Sequence, residues 1–157
     1  QIDRKVTFHI IGAKGPYQKS LQALVDNLQV GESVIFHKPC LGEKLDALIA
    51  ASHLAIGVLG AKRKGLEILS PLKNREYCAR GIPFIFGHID PDFPPEFPYA
   101  LRLSSNEDLI SIPTLIKFAE RVYQMPCHPR EMRKYALKHL DWSLKMKKVA
   151  LILRDNI

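Results

Sequence analysis

SPLKNREYCARGIPF, residues 70–84, reads as a helix running into a strand. Ser70 is a good N-cap, and Pro71 suits the first helical position because its φ is already helical and its missing N–H would have no intrahelical acceptor there. Gly81 supplies the left-handed residue that ends the helix. IPFIF (82–86) then has the β-branched and aromatic character of a buried strand. The helix carries an electrostatic problem. Lys73 and Arg75 stand in or beside its first turn, where the backbone already presents positive charge, and each cation costs roughly 0.3–1 kcal/mol there. A capping box would place Glu or Gln where Lys73 stands. A bound anion removes the conflict, because free N–H groups at a helix start together with nearby cations form a phosphate site. The preceding loop, GAKRKG (60–65), brings Lys62, Arg63 and Lys64 with no acid among them. The plainer alternative is that the cations point into solvent.

Glu76 lies three residues after Lys73 and four after Leu72, on the same helix face. A carboxylate cannot bind phosphate, but it accepts two hydrogen bonds from vicinal hydroxyls such as those of a ribose. Its alternative role is an intrahelical ion pair with Lys73 or Arg80, worth a few tenths of a kcal/mol.

The pattern continues outward from this stretch. VTFHII (6–11) is a strand that enters the glycine turn GAKGP, and YQKSLQALVDNL (17–28) spaces Leu21, Leu24, Val25 and Leu28 as a helix. SVIF (33–36), GEKLDALIAAS (42–52) and HLAIGVL (53–59) read as strand, helix and strand. This alternation predicts an α/β, Rossmann-like three-layer domain with a mainly parallel sheet, one domain across residues 1–157. GHIDPDFPPEFP (87–98) is a proline-rich loop, and YALRL (99–103) is a last strand. Helices are expected at 112–123, 129–140 and 141–153, with Trp142 as a core anchor. Ligands of such sheets bind at the carboxyl ends of the strands, which selects GAKGP and the loops after residues 36 and 59.

Composition is that of a globular protein: 157 residues, 46% hydrophobic, 25% charged and a net charge of +7. The positive excess points to anionic partners, but no RRM, KH or zinc-finger signature favours nucleic acid. Cys40, Cys78 and Cys127 are widely spaced, without CxxC, which fits a reducing, cytoplasmic compartment. No signal peptide or membrane span is expected. The histidines lack metal-ligand spacing, and Asp90-Pro-Asp92 is read as turn chemistry rather than as a metal motif.

HLAIGVLG…SPLKNREYCARGIPFI resembles the donor-binding half of GT-B glycosyltransferases, in particular the retaining, family 4-like group. That group often shows a lysine and then Glu-Tyr-x-Ala-x-Gly-x-Pro, and here Lys73 precedes Glu76-Tyr77-Cys78-Ala79-Arg80-Gly81-Ile82-Pro83. FHIIGAKGPYQKSL resembles the family's strand-Gly-x-Gly-Pro-helix segment through Gly12, Gly15 and Pro16, and the last helix resembles the family's closing helix. The resemblance implies a metal-independent, retaining hexosyltransferase domain that needs no cofactor and binds a UDP-, GDP- or ADP-sugar. It implies that Glu76 holds the ribose, and that the amides near Ser70 and Leu72 hold the diphosphate together with Lys73. Gly12 and Gly15 would face the donor, the loop from His37 to Cys40 would meet the base, and Gly87 to Asp90 would lie near the sugar.

The sequence departs from the family in two places. The family's two glutamates are separated by seven residues, whereas counting back from Glu76 reaches Ile68, with Glu67 one position off. Only QIDRK precedes VTFHII, where the family places a further strand and an Arg…Lys-Gly diphosphate clamp; Lys62 and Arg63 are the residues that would replace the clamp. The expectation is therefore a fragment of a two-domain enzyme, inactive alone, with its catalytic groups on an N-terminal acceptor domain. The acceptor would be a saccharide or a lipid-linked saccharide in surface polysaccharide synthesis. KMKKV with Arg154 reads first as a solvated basic face, with peripheral contact to an anionic membrane as the alternative. Two other readings stay open: a nucleotide-sugar epimerase of GT-B architecture, and a non-catalytic anion- or nucleotide-binding Rossmann module. An NAD oxidoreductase is disfavoured, since GAKGP lacks the third glycine of the dinucleotide fingerprint.

Overall fold

The structure, a computed structural model, describes residues 5–104, 106 and 108–155. Most of QIDRK lies outside the described residues. The protein is α/β, with helices and short parallel sheets, and it divides into two compact units after Ile49.

In the first unit β1 (Phe8–Ile11) pairs in parallel with β2 (Val34–His37), Phe8 opposite Val34 and Ile11 opposite His37. The crossover is α1 (Gly15–Asn27), which starts at Gly15 rather than at Tyr17 because Pro16 is tolerated in the first turn. A further helix, α2 (Glu43–Ala50), follows β2. Val25 and Ile49 are the buried hydrophobic residues here, while Phe8 is 46% exposed.

The second unit has a three-stranded parallel sheet in the order β3 (Ala55–Ile56), β4 (Phe84–Phe86), β5 (Ala100–Arg102). The strand expected over 53–59 contracts to two ladder residues, although the amides of Gly57 and Gly87 continue the pairing to Ile85 O and Val58 O at 2.8 and 2.9 Å. β4 lies in the middle, and Phe84 and Ile85 have no exposed surface, as a strand covered on both faces requires. Between β3 and β4 runs α3 (Leu72–Arg80), ended by Gly81 at φ 75°. A Cβ at Gly81 would fall 2.6 Å from Pro129, so glycine is needed there for space as well as for its φ.

The proline-rich loop after β4 is not merely extended. It buries Phe93 and Phe97, whose rings pack against Phe84, Phe86 and Tyr135 to extend the core. Beyond β5 come α4 (Ile112–Tyr123), α5 (His128–Tyr135), a π-helical turn (Ala136–Leu140) and α6 (Trp142–Asp155). Ser111 caps α4 by accepting the Thr114 amide. The helix expected over 129–140 thus changes hydrogen-bond period near its end, where Ala136 and Leu140 turn inward. Leu140 takes the core position, and Trp142, expected as a core anchor, is 68% exposed at the start of α6. Among the described residues, no helix is long and apolar enough to cross a membrane.

Candidate functional site

The start of α3 lies one residue later than its sequence suggests. Pro71, with ψ 136°, is the N-cap itself, so Leu72 and Lys73 are the first two helical residues and Ser70 stands outside the helix. No side chain caps this end, and no acid occupies the first turn. The Asn74 amide bonds Pro71 O at 3.2 Å, whereas helix geometry leaves the Leu72 and Lys73 amides without an intrahelical acceptor. Ser70, Leu72 and Lys73 are all exposed. This end of the helix therefore presents two amides and an ammonium group to solvent.

Arg75 corrects the sequence reading. It was expected to join Lys73 in binding an external anion, but the anion is internal. Its guanidinium meets Asp90 at 2.5 and 2.6 Å, Asp92 at 2.5 and 3.2 Å, and Pro71 O at 3.0 Å. Those contacts use all the N–H donors that an arginine has. Burial alone would lower the Arg75 pKa, but the bonds to Asp90 and Asp92 outweigh it and raise the pKa above its ordinary value. Asp92 also accepts the Lys145 ammonium of α6 at 2.5 Å. Burial works against its charged form, yet the bonds from Lys145 and Arg75 hold its carboxyl below the usual range. Asp90, fully buried, accepts Asn74 Nδ2 at 2.9 Å. It also accepts the Asp92 amide at 3.2 Å, which is the turn chemistry expected of the pair.

The network ties the start of α3 to the loop after β4. A second tie lies just upstream: the Ile89 amide donates to Glu67 O and the Leu69 amide to Ile89 O, at 2.8 and 3.0 Å. Glu67 thereby stands beside the segment Gly87 to Asp90, with its side chain in solvent. A pocket of about 220 Å³ opens off the same segment, against the carboxyl ends of β4 and β5, lined by Phe86, Ile89, Asp90, Phe93 and Arg102 among others. Lys62, Arg63 and Lys64 form a single exposed 3₁₀ turn closed by Gly65. Glu76 has the partner its plainer reading gave it: Oε1 accepts two bonds from Arg80, at 2.9 and 3.1 Å.

The first unit holds the other candidates. Gly12 (φ 83°) and Gly15 (φ 59°) adopt the left-handed conformation that the turn after β1 demands, and the Gly12 amide donates to His37 O at 3.1 Å. His37 stacks on His9, Nε2 lying 2.8 Å from His9 Nδ1. That contact joins β1 to β2 by side chains as well as by backbone.

Sequence reasoning missed Asn74, Asp90, Asp92 and Lys145 as the groups that neutralise and fix the start of α3. The available signal was Asp90-Pro-Asp92 itself, two acids in a loop rich in apolar and proline residues, close downstream of a helix with surplus cations. Among the described residues, no group of three or more His, Cys, Asp or Glu side chains could hold a metal ion. Comparison with protein-family models and with curated proteins finds no match.

Proposed function

We propose that the chain is a nucleoside-diphosphate-sugar binding domain of a retaining, GT-B-type glycosyltransferase. The observation that carries the reading is the start of α3: two amides without intrahelical acceptors and the Lys73 ammonium face solvent, with no acid in the first turn. Arg75 takes no part in this site, because its charge is satisfied by Asp90 and Asp92; it holds the helix start in place. The diphosphate would lie across Leu72 and Lys73, where helix dipole, amides and ammonium favour negative charge together. The exposed 3₁₀ turn with Lys62 and Arg63 would add long-range attraction.

Glu76 would accept the ribose hydroxyls on the following turn. The carboxylate would share its acceptor capacity between the sugar and Arg80, an exposed pair worth little by itself and easily adjusted. The hexose would sit near Gly87 to Asp90, with Glu67 alongside. Transfer with retention would lean on the diphosphate as a stabilised leaving group, and the acceptor with its catalytic groups would come from a further domain. A helix start of this kind also suits a generic anion site, and the Glu76–Arg80 pair favours that second reading.

Calorimetric titration with UDP, GDP and ADP at low and high salt separates the two. The glycosyltransferase reading expects one nucleotide to bind selectively and Glu76→Ala to weaken it about tenfold, the value of one charge-assisted contact. Equal binding of all three, lost in salt and indifferent to Glu76→Ala, supports the generic module and overturns the proposal.

A further inference from the structure

A second pocket, of about 380 Å³, opens in the second unit at the opposite end of α3. Nine helical residues separate the two ends of α3 by about 13 Å. The lining includes Ser52, Arg80, Gly81, Tyr123, His128 and Arg133. Two arginines thus line one cavity from different helices, Arg80 from α3 and Arg133 from the last turn of α5. Arg80 shares its charge with Glu76. Arg133 has no acidic partner among the described residues, and the Glu131 carboxylate of the same helix is bound by Lys134 at 2.7 Å.

His128 is the second, independent observation. It is 7% exposed and lines the cavity, and among the described residues its ring nitrogens have no hydrogen-bond partner. Tyr123 holds the ring edge-on, centroids 4.7 Å apart. A ligand group that met its ring nitrogens would give His128 the hydrogen-bond partner it lacks among the described residues. Gly81 lines the cavity and packs its bare Cα on Pro129, where any Cβ would collide.

We propose that this pocket binds a small phosphate monoester, the phosphate bridging Arg133, Arg80 and His128 and the organic body resting on Tyr123 and Ile82. Guanidinium forks from two directions match the several oxygens of a dianion better than the single plane of a carboxylate. The volume falls in the range of small-molecule sites and exceeds what one phosphate fills. The site is independent of the diphosphate reading, which concerns the other end of α3.

The test is an amide NMR titration of the full chain with ribose 5-phosphate, inorganic phosphate and acetate at constant ionic strength. Ribose 5-phosphate is expected to shift the Ser52, Gly81, Ile82 and Arg133 amides saturably, more tightly than inorganic phosphate, with no effect of acetate. Arg133→Gln, an exposed change that leaves the fold intact, is expected to weaken binding about tenfold. Lys73→Gln is expected to leave it unchanged. The proposal is overturned by an absence of saturable shifts at these amides, by shifts confined to residues 70–76, by equal binding of acetate or inorganic phosphate, or by an Arg133→Gln variant that binds as the native chain does.

Discussion

The chain contains two copies of one idea, a strand, a helix and a parallel strand: β1-α1-β2 in the first unit and β3-α3-β4 in the second. In sequence they look alike. In the structure Phe8 of β1 is 46% exposed, whereas Phe84 of β4 has no exposed surface. Their glycines differ in the same sense. A Cβ at Gly12 or Gly15 would meet nothing within 4 Å, so these residues are there for their positive φ. A Cβ at Gly57 would lie 2.5 Å from Asn74 Oδ1, and one at Gly87 2.9 Å from Leu59 O, so those residues are there for space. The difference teaches that hydrophobic pattern defines a strand, while its neighbours decide how much that strand is worth. β4 has strands on both sides and an aromatic layer from Phe93 and Phe97; β1 has one strand neighbour.

The largest effect that separates the two crossovers should come from one substitution made twice. Phe84→Ala should cost about 3–5 kcal/mol in urea unfolding, as full removal of a core aromatic does. Phe8→Ala should cost about 1 kcal/mol, because much of its side chain is already in water. Equal losses would break the comparison. Next comes Asp90→Ala, which leaves the mostly buried Arg75 without its main partner and should destabilise the second unit by about 3 kcal/mol. Hydrogen exchange should show the loss at β4 amides while the β1 amides keep their native rates.

A smaller contrast lies in the glycines. Gly57→Ala should cost about 2–3 kcal/mol through overpacking against Asn74. Gly12→Ala should cost about 1–2 kcal/mol through its left-handed φ alone. The remaining contrasts come from pH and are silent near neutrality. Burial pushes the Cys78 thiol up to about 12 from an ordinary 9.0, so the folded chain keeps a proton that the unfolded chain gives up. That contribution is complete below the ordinary thiol value and is lost as pH rises toward the folded one. Cys78→Ala should flatten the alkaline limb of the stability profile. Asp92 acts in the opposite direction: its folded pKa is depressed, so its contribution is present above the ordinary carboxylate range and is lost as pH falls through the folded value. Asp92→Asn should flatten the acid limb.

Much of the fold was legible because it depends on local signals. The helix over Ile112–Tyr123 and the stop at Gly81 follow from apolar spacing and from glycine's freedom at positive φ. What escaped depends on partners distant in the chain. The cations of α3 read as a request for an outside anion, yet the carboxylates that answer Arg75 stand 15 and 17 residues away on a loop whose folding no periodicity reports. Trp142 escaped for a related reason, since size and apolarity do not say which way the first residue of a helix faces. Even the N-cap moved, because Pro71 serves extended backbone as readily as the first helical turn. Lys73 kept its exposed place once Arg75 was accounted for, which is why the candidate site shrank from two cations to one without vanishing.

The most direct test of the central claim is an amide NMR titration with the nucleotide that binds best, read at Leu72 and Lys73 in the native chain and in Lys73→Gln. A diphosphate held at the start of α3 predicts large, saturating shifts of both amides at the calorimetric affinity, weakened about tenfold by the substitution. Saturable shifts elsewhere, with Leu72 and Lys73 unmoved, would contradict it.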